Sequence, residues 1–143
     1  MPGIAIGTDI IVGFCGETDE QFEDTVEMYK AADFDISYTA MYSPRSGTAA
    51  HRAFKDDVLR LEKKRRWQVL QALMEGTVLR KNQDYIGREV EVLVDGWDHG
   101  VAVGNSREMK RVTTNSEIDL RGQTVKIKVK TALEWQLSGE LVN

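Results

Sequence analysis

The stretch from Thr8 to Thr18 constrains the fold of this chain most, because a strand pattern ends at glycines and a helix pattern begins directly after them. Ile10, Ile11 and Val12 are three consecutive β-branched residues, which is typical of a strand covered on both faces in a parallel sheet. Gly13 and Gly16 lack a Cβ, so the chain can turn sharply and a ligand can lie against the backbone. The stretch therefore predicts a strand, a loop and a helix in immediate succession.

The helix that follows has a clear start signal. Thr18 and Gln21 have the spacing of a capping box, and we expect a helix over 19–32 and a second strand over 36–42. This is a βαβ unit of the expected length. Ligands bind at the carboxyl ends of strands in parallel sheets, which is where residues 13–17 fall. The alternative is an ordinary loop whose glycines only make the turn.

A second loop of the ligand-binding type follows the second strand. Residues 42–50 contain proline, glycine and small residues, and we expect no regular structure there. Arg45 lies in this loop, either as a solvated surface arginine or as a guanidinium that faces substrate or cofactor. His51 and His99 are isolated in sequence, and we interpret both as surface residues.

A long helix is expected next, with Asp56 or Asp57 as its cap and its end near Gln83. Apolar residues repeat along it at spacings of three and four residues, so one face of the helix should pack against the rest of the protein. Its first half is strongly basic, and we interpret this as a solvated face; the alternative is a contact with phosphates. The apolar positions are Trp67, Leu70, Met74 and Val78, and the cations are Arg60, Lys63, Lys64, Arg65 and Arg66.

The last section, from about residue 85, changes to alternating polar and apolar residues with frequent turn signals. Five short strands in about 60 residues without a helix are enough for a small closed barrel, and the pattern predicts an OB-like module. The expected strands are 89–94, 101–105, 109–114, 123–131 and 134–141.

The predicted barrel is not basic overall, because residues 84–143 contain eight Lys or Arg and ten Asp or Glu. Contacts with a nucleic acid would depend on clustered cations, and we select Arg107, Lys110 and Arg111 as the candidates. The alternating residues Lys126, Lys128 and Lys130 share one face of a strand. We expect them to pair with Glu89 and Glu91 on a neighbouring strand as a charge ladder.

The composition narrows the class of protein. The chain has 143 residues, a net charge of −4 and one cysteine, Cys15, which excludes an internal disulfide and a thiolate metal or iron–sulfur site built from this chain alone. No apolar run approaches the roughly 20 residues needed to span a bilayer, and no signal pattern follows Met1. We expect a soluble, cytoplasmic protein without a membrane association.

Several segments, in the same order, resemble the carboxyl-terminal half of the radical S-adenosylmethionine tRNA methylthiotransferases. Thr8–Thr18 and Tyr42–Ala50 resemble segments that follow late strands of that family's barrel. Gly87–Gly96, Gly104–Arg107 and Ser138–Val142 resemble the TRAM domain, a small RNA-binding barrel. The resemblance implies an α/β part followed by an all-β part. Residues 1–76 would be the last βα units of a TIM-type radical S-adenosylmethionine barrel with a bridging helix, and residues 77–143 a five-stranded OB-like TRAM domain.

The resemblance also implies a function. The branch of the family that this chain resembles adds a methylthio group to C2 of N6-isopentenyladenosine next to the anticodon of tRNA, using S-adenosylmethionine and [4Fe-4S] clusters. The cluster cysteines lie in a part that this chain lacks, and Cys15 stands where the family usually has proline, so we expect the chain to be inactive alone. It would supply part of the S-adenosylmethionine site through Gly13, Gly16 and Glu17. Its partners would be tRNA and the missing amino-terminal part of the same enzyme.

Two alternatives remain at this point. Arg45 favours the tRNA branches of the family over the branch that modifies a ribosomal protein, but a sibling enzyme acting on threonylcarbamoyladenosine shares this loop. The chain can also be a free-standing RNA-binding module without catalysis. An open reading frame with CxxxCxxC upstream of the codon for Met1 would favour the enzyme over the module.

Overall fold

The computed structural model describes residues 4–142, and the chain divides into two compact units. One unit is Ile6–Thr77, and the other is built mainly from the chain that begins at Val78. The assignment of residues 1–76 to a radical S-adenosylmethionine barrel and of 77–143 to a TRAM domain stays a prediction.

The first unit contains the predicted βαβ arrangement. Strand β1 (Gly7–Val12) is followed by helix α1 (Asp19–Ala32) and strand β2 (Ile36–Met41). The two strands pair in parallel with Gly7 opposite Ile36 and Val12 opposite Met41. Both strands therefore end at the same edge of the sheet, which brings their following loops together.

Helix α1 has the predicted bounds and the predicted cap. The Thr18 hydroxyl accepts from the amide of Gln21 at 3.2 Å, and the Gln21 side chain accepts from the amide of Thr18 at 3.0 Å. Its buried residues are Phe22, Val26 and Tyr29, which form the predicted apolar stripe. The local sequence thus determines both where this helix begins and which face it buries.

The two-stranded sheet is covered on one face. Ile10 and Val12 are buried, whereas Ile11 is 59% exposed and Tyr38 on β2 is 62% exposed. The expectation that β1 is covered on both faces is therefore wrong for this chain. The helices of the unit cover one side of the sheet. The other side exposes apolar residues, including Ile11, to solvent.

Two helical details differ from the sequence-based expectation. A short helix, α2 (Ala49–Ala53), begins inside the stretch expected to be irregular, because Thr48 caps it by accepting from the amide of His51 at 3.2 Å. Helix α3 covers Arg60–Gln83, so it begins later than predicted, and the Lys63 amide donates to the Leu59 carbonyl. Asp56 and Asp57 have other partners, described below.

The docking stripe of α3 is confirmed for three of its four positions. Leu70, Met74 and Val78 are at most 4% exposed. Trp67 is half-buried and donates from Nε1 to the Thr39 carbonyl at 2.8 Å. Among residues 4–142, no helix has the length and apolar character required to cross a membrane.

The second unit contains a closed five-stranded barrel, as predicted, with the strands within a few residues of their expected bounds. The strand order is β3–β4–β5–β7–β6, with β6 pairing back onto β3 and β5 running parallel to β7. This architecture is compatible with an OB-like domain. The strands are β3 (Glu89–Asp98), β4 (Val101–Ser106), β5 (Arg111–Asn115), β6 (Thr124–Ala132) and β7 (Leu137–Leu141).

The interior of the barrel is formed by the apolar residues of the alternating pattern. Six of them form one cluster, and each is at most 7% exposed. They come from four of the five strands, so this core forms only when the barrel brings those strands together. The residues are Val90, Val92, Val112, Ile127, Val129 and Leu137.

Candidate functional site

The two loops selected from the sequence meet at the carboxyl ends of β1 and β2. The amide of Tyr42, directly after β2, donates to the carbonyl of Val12 at 2.8 Å. The Phe14 ring contacts the Tyr42 ring edge-on, with centroids 4.9 Å apart. The structure therefore brings the segment 13–17 and the start of the segment 42–50 side by side, as expected for parallel strands.

The two glycines of the first loop have different surroundings. Both have positive φ, 72° at Gly13 and 77° at Gly16, which disfavours other residues. A Cβ on Gly13 would overlap the side chain of Lys63, whereas a Cβ on Gly16 would meet no atom within 4 Å. The backbone at Gly13 is therefore covered by protein, and the open backbone available to a ligand is at Gly16.

The amide groups of both glycines are already hydrogen-bonded. Gly13 donates to Oε2 of Glu17 at 2.6 Å, and Gly16 donates to Oδ1 of Asp57 at 2.8 Å. Asp57, expected as a helix cap, fixes this loop instead. The loop is consequently held in its turn by two carboxylates.

Arg66 is a buried cation at the centre of an ion network below the loop. Its side chain is 4% exposed, and Nη1 lies 2.6 Å from Oε2 of Glu17. Its Nη2 donates to Asp19 at 2.8 Å and its Nε to Glu62 at 2.8 Å. The same Nη1 also donates to the Glu17 carbonyl at 3.0 Å. Because Glu17 is engaged by Arg66 and Gly13, its carboxylate shapes the loop.

Glu62 joins two arginines in this network. It accepts from Arg65 at 2.7 Å and from Arg66 at 2.8 Å. The hydrogen bonds from Arg65 and then Arg66 lower the pKa of the Glu62 carboxyl to about 2. The carboxylate form is thus the one that the folded state stabilises.

Lys63 occupies the neighbouring buried position. Its side chain is 5% exposed, and Nζ lies 2.5 Å from Oδ1 of Asp56 and 3.1 Å from the Tyr42 carbonyl. The ammonium also lies 5.1 Å from the centroid of the Tyr42 ring. Partial desolvation and then the hydrogen bond with the Cys15 thiol raise the pKa of the Tyr42 phenol.

The basic run at the start of α3 is therefore not wholly a solvated face, and phosphate contacts by its exposed members stay a prediction. Lys63 and Arg66 are buried cations with protein carboxylates as partners. Their positions in the sequence indicated this burial, since 63 and 66 continue the three- and four-residue spacing of the buried residues Leu70 and Met74. The interpretation from charge alone overlooked that both cations lie on the buried face of the helix.

Arg45 is exposed in the second loop. It lines a surface depression of about 340 Å³ whose floor includes Ile11 and Tyr42. A second depression of about 390 Å³ is lined by Tyr42, Asp56 and Lys63 among others. Both depressions lie at the strand ends where a ligand was expected. The role of Arg45 toward substrate or cofactor stays a prediction.

The barrel candidates do not form one uniform cationic patch. Arg107 Nε lies 2.8 Å from Glu91, and Arg111 Nη1 lies 2.6 Å from Asp95. The hydrogen bond from Arg111 lowers the pKa of Asp95. Lys110 is only 8% exposed, and its ammonium lies 6.0 Å from the ring of Tyr85. Arg107 and Arg111 thus remain surface candidates, and Lys110 is largely internal.

The predicted adjacency behind the charge ladder is confirmed. In the pairing of β3 with β6, Glu89 lies opposite Lys128 and Glu91 lies opposite Lys126. Lys130 forms an ion pair of 3.0 Å with Glu140 on β7. The lysine stripe is therefore flanked by acidic residues on both neighbouring strands. Among residues 4–142, no group of three His, Cys, Asp or Glu side chains could hold a metal ion.

No family model matches the chain. It is 47% identical over 145 residues to the tRNA-2-methylthio-N(6)-dimethylallyladenosine synthase of Bacillus anthracis. The proteins of that name from Bacillus thuringiensis and Bacillus cytotoxicus are 46% and 43% identical over the same length. Each match covers 99% of this chain and 28% of the relative, so the chain spans about 28% of the length of these proteins. Along nearly all of its length, this chain is therefore homologous to a carboxyl-terminal portion of the tRNA-2-methylthio-N(6)-dimethylallyladenosine synthases.

Proposed function

We propose that this chain is the carboxyl-terminal part of a tRNA methylthiotransferase, which adds a methylthio group to C2 of N6-isopentenyladenosine next to the anticodon. The observation that carries the proposal is identity of 43–47% to synthases of that name over 99% of the chain. The fold agrees with a division of labour between a βαβ part and an RNA-binding barrel. Because its substrate is tRNA, the enzyme acts in the cytoplasm.

The first unit serves, in this proposal, as the last βα units of a radical S-adenosylmethionine barrel. The uncovered side of its sheet carries Ile11 and Tyr38, which are 59% and 62% exposed. The relatives are more than three times as long as the matched part, which covers 28% of them. The amino-terminal part of the same enzyme is the partner that we assign to this uncovered sheet.

In this proposal, the cofactor-binding residues are divided between this chain and the amino-terminal part of the enzyme. The sequence holds one cysteine, so a [4Fe-4S] cluster does not fit this chain alone, because such clusters take several thiolates. S-adenosylmethionine, when bound with the cluster of the complete enzyme, supplies the radical chemistry. Gly16 offers it open backbone, Gly13 and Glu17 hold the loop in shape, and Arg45 faces the ligand from the second loop.

The barrel binds tRNA in this proposal. The strand order β3–β4–β5–β7–β6 is compatible with an OB fold, a fold that binds oligonucleotides on the face of its second and third strands. Those strands are β4 and β5 here, and Arg111 lies at the start of β5. We assign the phosphate contacts to Arg107 and Arg111, with Lys110 supporting them from the interior.

The experiment is cofactor binding by a full-length enzyme that contains this sequence. A Cβ at position 16 would meet no protein atom within 4 Å, so Gly16→Val strains the loop through its φ of 77° and places its side chain in the space that we assign to the ligand. We expect weaker S-adenosylmethionine binding by calorimetry, with the barrel still folded. Asp24→Ala, on the exposed side of α1, is the control. Unchanged affinity in Gly16→Val would return the glycines to a purely structural role.

A further inference from the structure

One outward face of the barrel is almost without charge. Val103, Thr113 and Ser138 lie side by side on β4, β5 and β7, and Val101 lies opposite Asn115 in the next row. These positions alternate with buried ones, so their side chains point away from the core. By contrast, the face of β3 and β6 carries the glutamate–lysine ladder.

The uncharged face contains a depression of about 310 Å³. Val101, Thr113, Asn115 and Ser138 contribute to its lining. Within residues 4–142, the charged residues that line it are Lys130 and Glu140, which neutralise each other at 3.0 Å. A ligand here meets hydroxyl, amide and methyl groups, and it meets no excess of positive charge.

The loop between β6 and β7 contacts this face through Gln136 and carries an aromatic residue. Trp135 is 54% exposed. The loop closes through a hydrogen bond of 2.8 Å from the Leu133 amide to the Gln136 carbonyl. The Gln136 side chain donates to the hydroxyl of Thr113, a residue that lines the depression, at 3.2 Å. Trp135 is thus one residue away from a direct contact with the uncharged face.

A buried asparagine fixes this loop from below. Asn82 is 3% exposed, and its Nδ2 donates to the carbonyls of Leu133 and Glu134 at 2.8 and 3.0 Å. The backbone directly before Trp135 is therefore anchored, so the loop that carries the indole is held in place before any ligand arrives. Preorganisation of this kind reduces the entropy lost on binding.

We propose that the uncharged face of β4, β5 and β7, together with Trp135, is a subsite for an unpaired nucleobase of the RNA. The subsite rests on the proposed tRNA-binding role of the barrel. A base stacks on the indole, and its polar edge bonds to the neutral groups of the depression. Arg111 lies opposite Asn105 at the far end of the same pair of strands. The phosphates therefore follow at that end.

The chemistry of the face favours a base over a phosphate. Stacking on an aromatic side chain is tolerant of sequence and contributes roughly 1–3 kcal/mol per base, which corresponds to a roughly 5- to 150-fold change in affinity. A phosphate would require cations or a cluster of amide donors. The paired Lys130 and Glu140 do not supply that net charge.

The test is binding of a fluorescein-labelled, unstructured RNA of about ten nucleotides to the complete chain, a length within the 4–16 nucleotides that one OB fold covers. Trp135→Ala should weaken binding about 5- to 150-fold without a change in salt dependence, and Trp135→Phe should retain most of the affinity. Ile118→Ala, which removes an apolar side chain from a residue that is 65% exposed on another loop, is the matched control. Inorganic polyphosphate, which lacks bases, should compete poorly.

Two results would overturn the subsite alone: RNA binding that is equal in wild type and Trp135→Ala, or displacement of the RNA by polyphosphate as readily as by unlabelled RNA. Failure of the wild-type chain to bind either this RNA or tRNA at low salt would overturn the subsite together with the proposed role of the barrel. Circular dichroism should show the barrel of Trp135→Ala still folded, because the side chain is 54% exposed, and it separates a loss of binding from a loss of structure.

Discussion

The side chain of Lys63 fills the space that a side chain at position 13 would need. Gly13 is therefore required by a contact within the protein as well as by its φ of 72°. Gly16, three residues later, has a similar φ of 77° but no atom within 4 Å of its Cβ position. The two glycines of this loop are thus required for different reasons: Gly13 by packing and by its φ, and Gly16 by its φ alone.

This contrast gives a prediction for matched alanine substitutions. Gly16→Ala should cost roughly 1–2 kcal/mol, the usual penalty of a left-handed conformation. Gly13→Ala should cost more, because the new methyl group also displaces the side chain of Lys63, which is 5% exposed. Hydrogen exchange of residues 6–77, measured by mass spectrometry, reports the loss of local stability. Equal effects of the two substitutions would contradict the packing role of Lys63.

Arg66 should be far more important for stability than its neighbour Arg65. Arg66→Ala leaves Glu17, which is 13% exposed, without its cation, and breaking a buried pair costs about 3–5 kcal/mol. Arg65 is 50% exposed and shares Glu62, so Arg65→Ala should cost less than about 1 kcal/mol. Urea unfolding measures both. Glu17→Gln in the Arg66→Ala background should restore part of the loss, and similar losses in the two single variants would refute the network.

The ion network also predicts a dependence of stability on pH. The folded-state pKa of Glu62 is about 2, below its ordinary value of 4.5. A depressed pKa stabilises the fold above pH 4.5, and that contribution is lost as the pH falls from 4.5 toward 2. We expect the free energy of unfolding of the wild type to decrease in this window and Glu62→Gln to show a shallower decrease. Parallel pH profiles would show that Glu62 does not contribute.

Local signals in the sequence predicted much of the fold. The capping box of Thr18 and Gln21 marks the start of α1, and alternation predicted the strands of the barrel within a few residues. The pairing of Glu89 with Lys128 followed from the charge pattern, because opposite charges on neighbouring strands are favourable. These signals depend on residues close in sequence or on one repeated period.

The inward cations could not be predicted from charge alone. Lys63 and Arg66 are separated by about 50 residues from Gly13 and Glu17, and their partners become visible only when α3 lies beside the loop. Similarly, the exposure of Ile11 depends on which strands neighbour β1, which no local pattern records. Tertiary contacts of this kind determine the features of the candidate site that could not be predicted from the sequence: the burial of Lys63 and Arg66 and the exposure of Ile11.

The phosphate contacts assigned to the barrel predict a change in salt dependence. Each lost contact should reduce the slope of log affinity against log salt by roughly 0.7–0.9. Arg107→Ala combined with Arg111→Ala should therefore flatten the slope for tRNA by more than about one unit, although each arginine has a carboxylate partner. Lys126→Ala with Lys128→Ala should change it little, because we assign no phosphate contact to these lysines, which lie opposite Glu91 and Glu89. The reverse ranking would place the RNA on the lysine stripe.

The proposed function is tested most directly by tRNA modification in a chimera. The 145-residue segment of the Bacillus anthracis synthase that matches this chain is replaced by this sequence, and the chimera is expressed in cells that lack their own enzyme. Mass spectrometry of the tRNA nucleosides should detect 2-methylthio-N6-isopentenyladenosine, and the Arg66→Ala chimera should yield much less. A soluble chimera that binds tRNA and its clusters but leaves only N6-isopentenyladenosine would contradict the assignment of this chain to a methylthiotransferase.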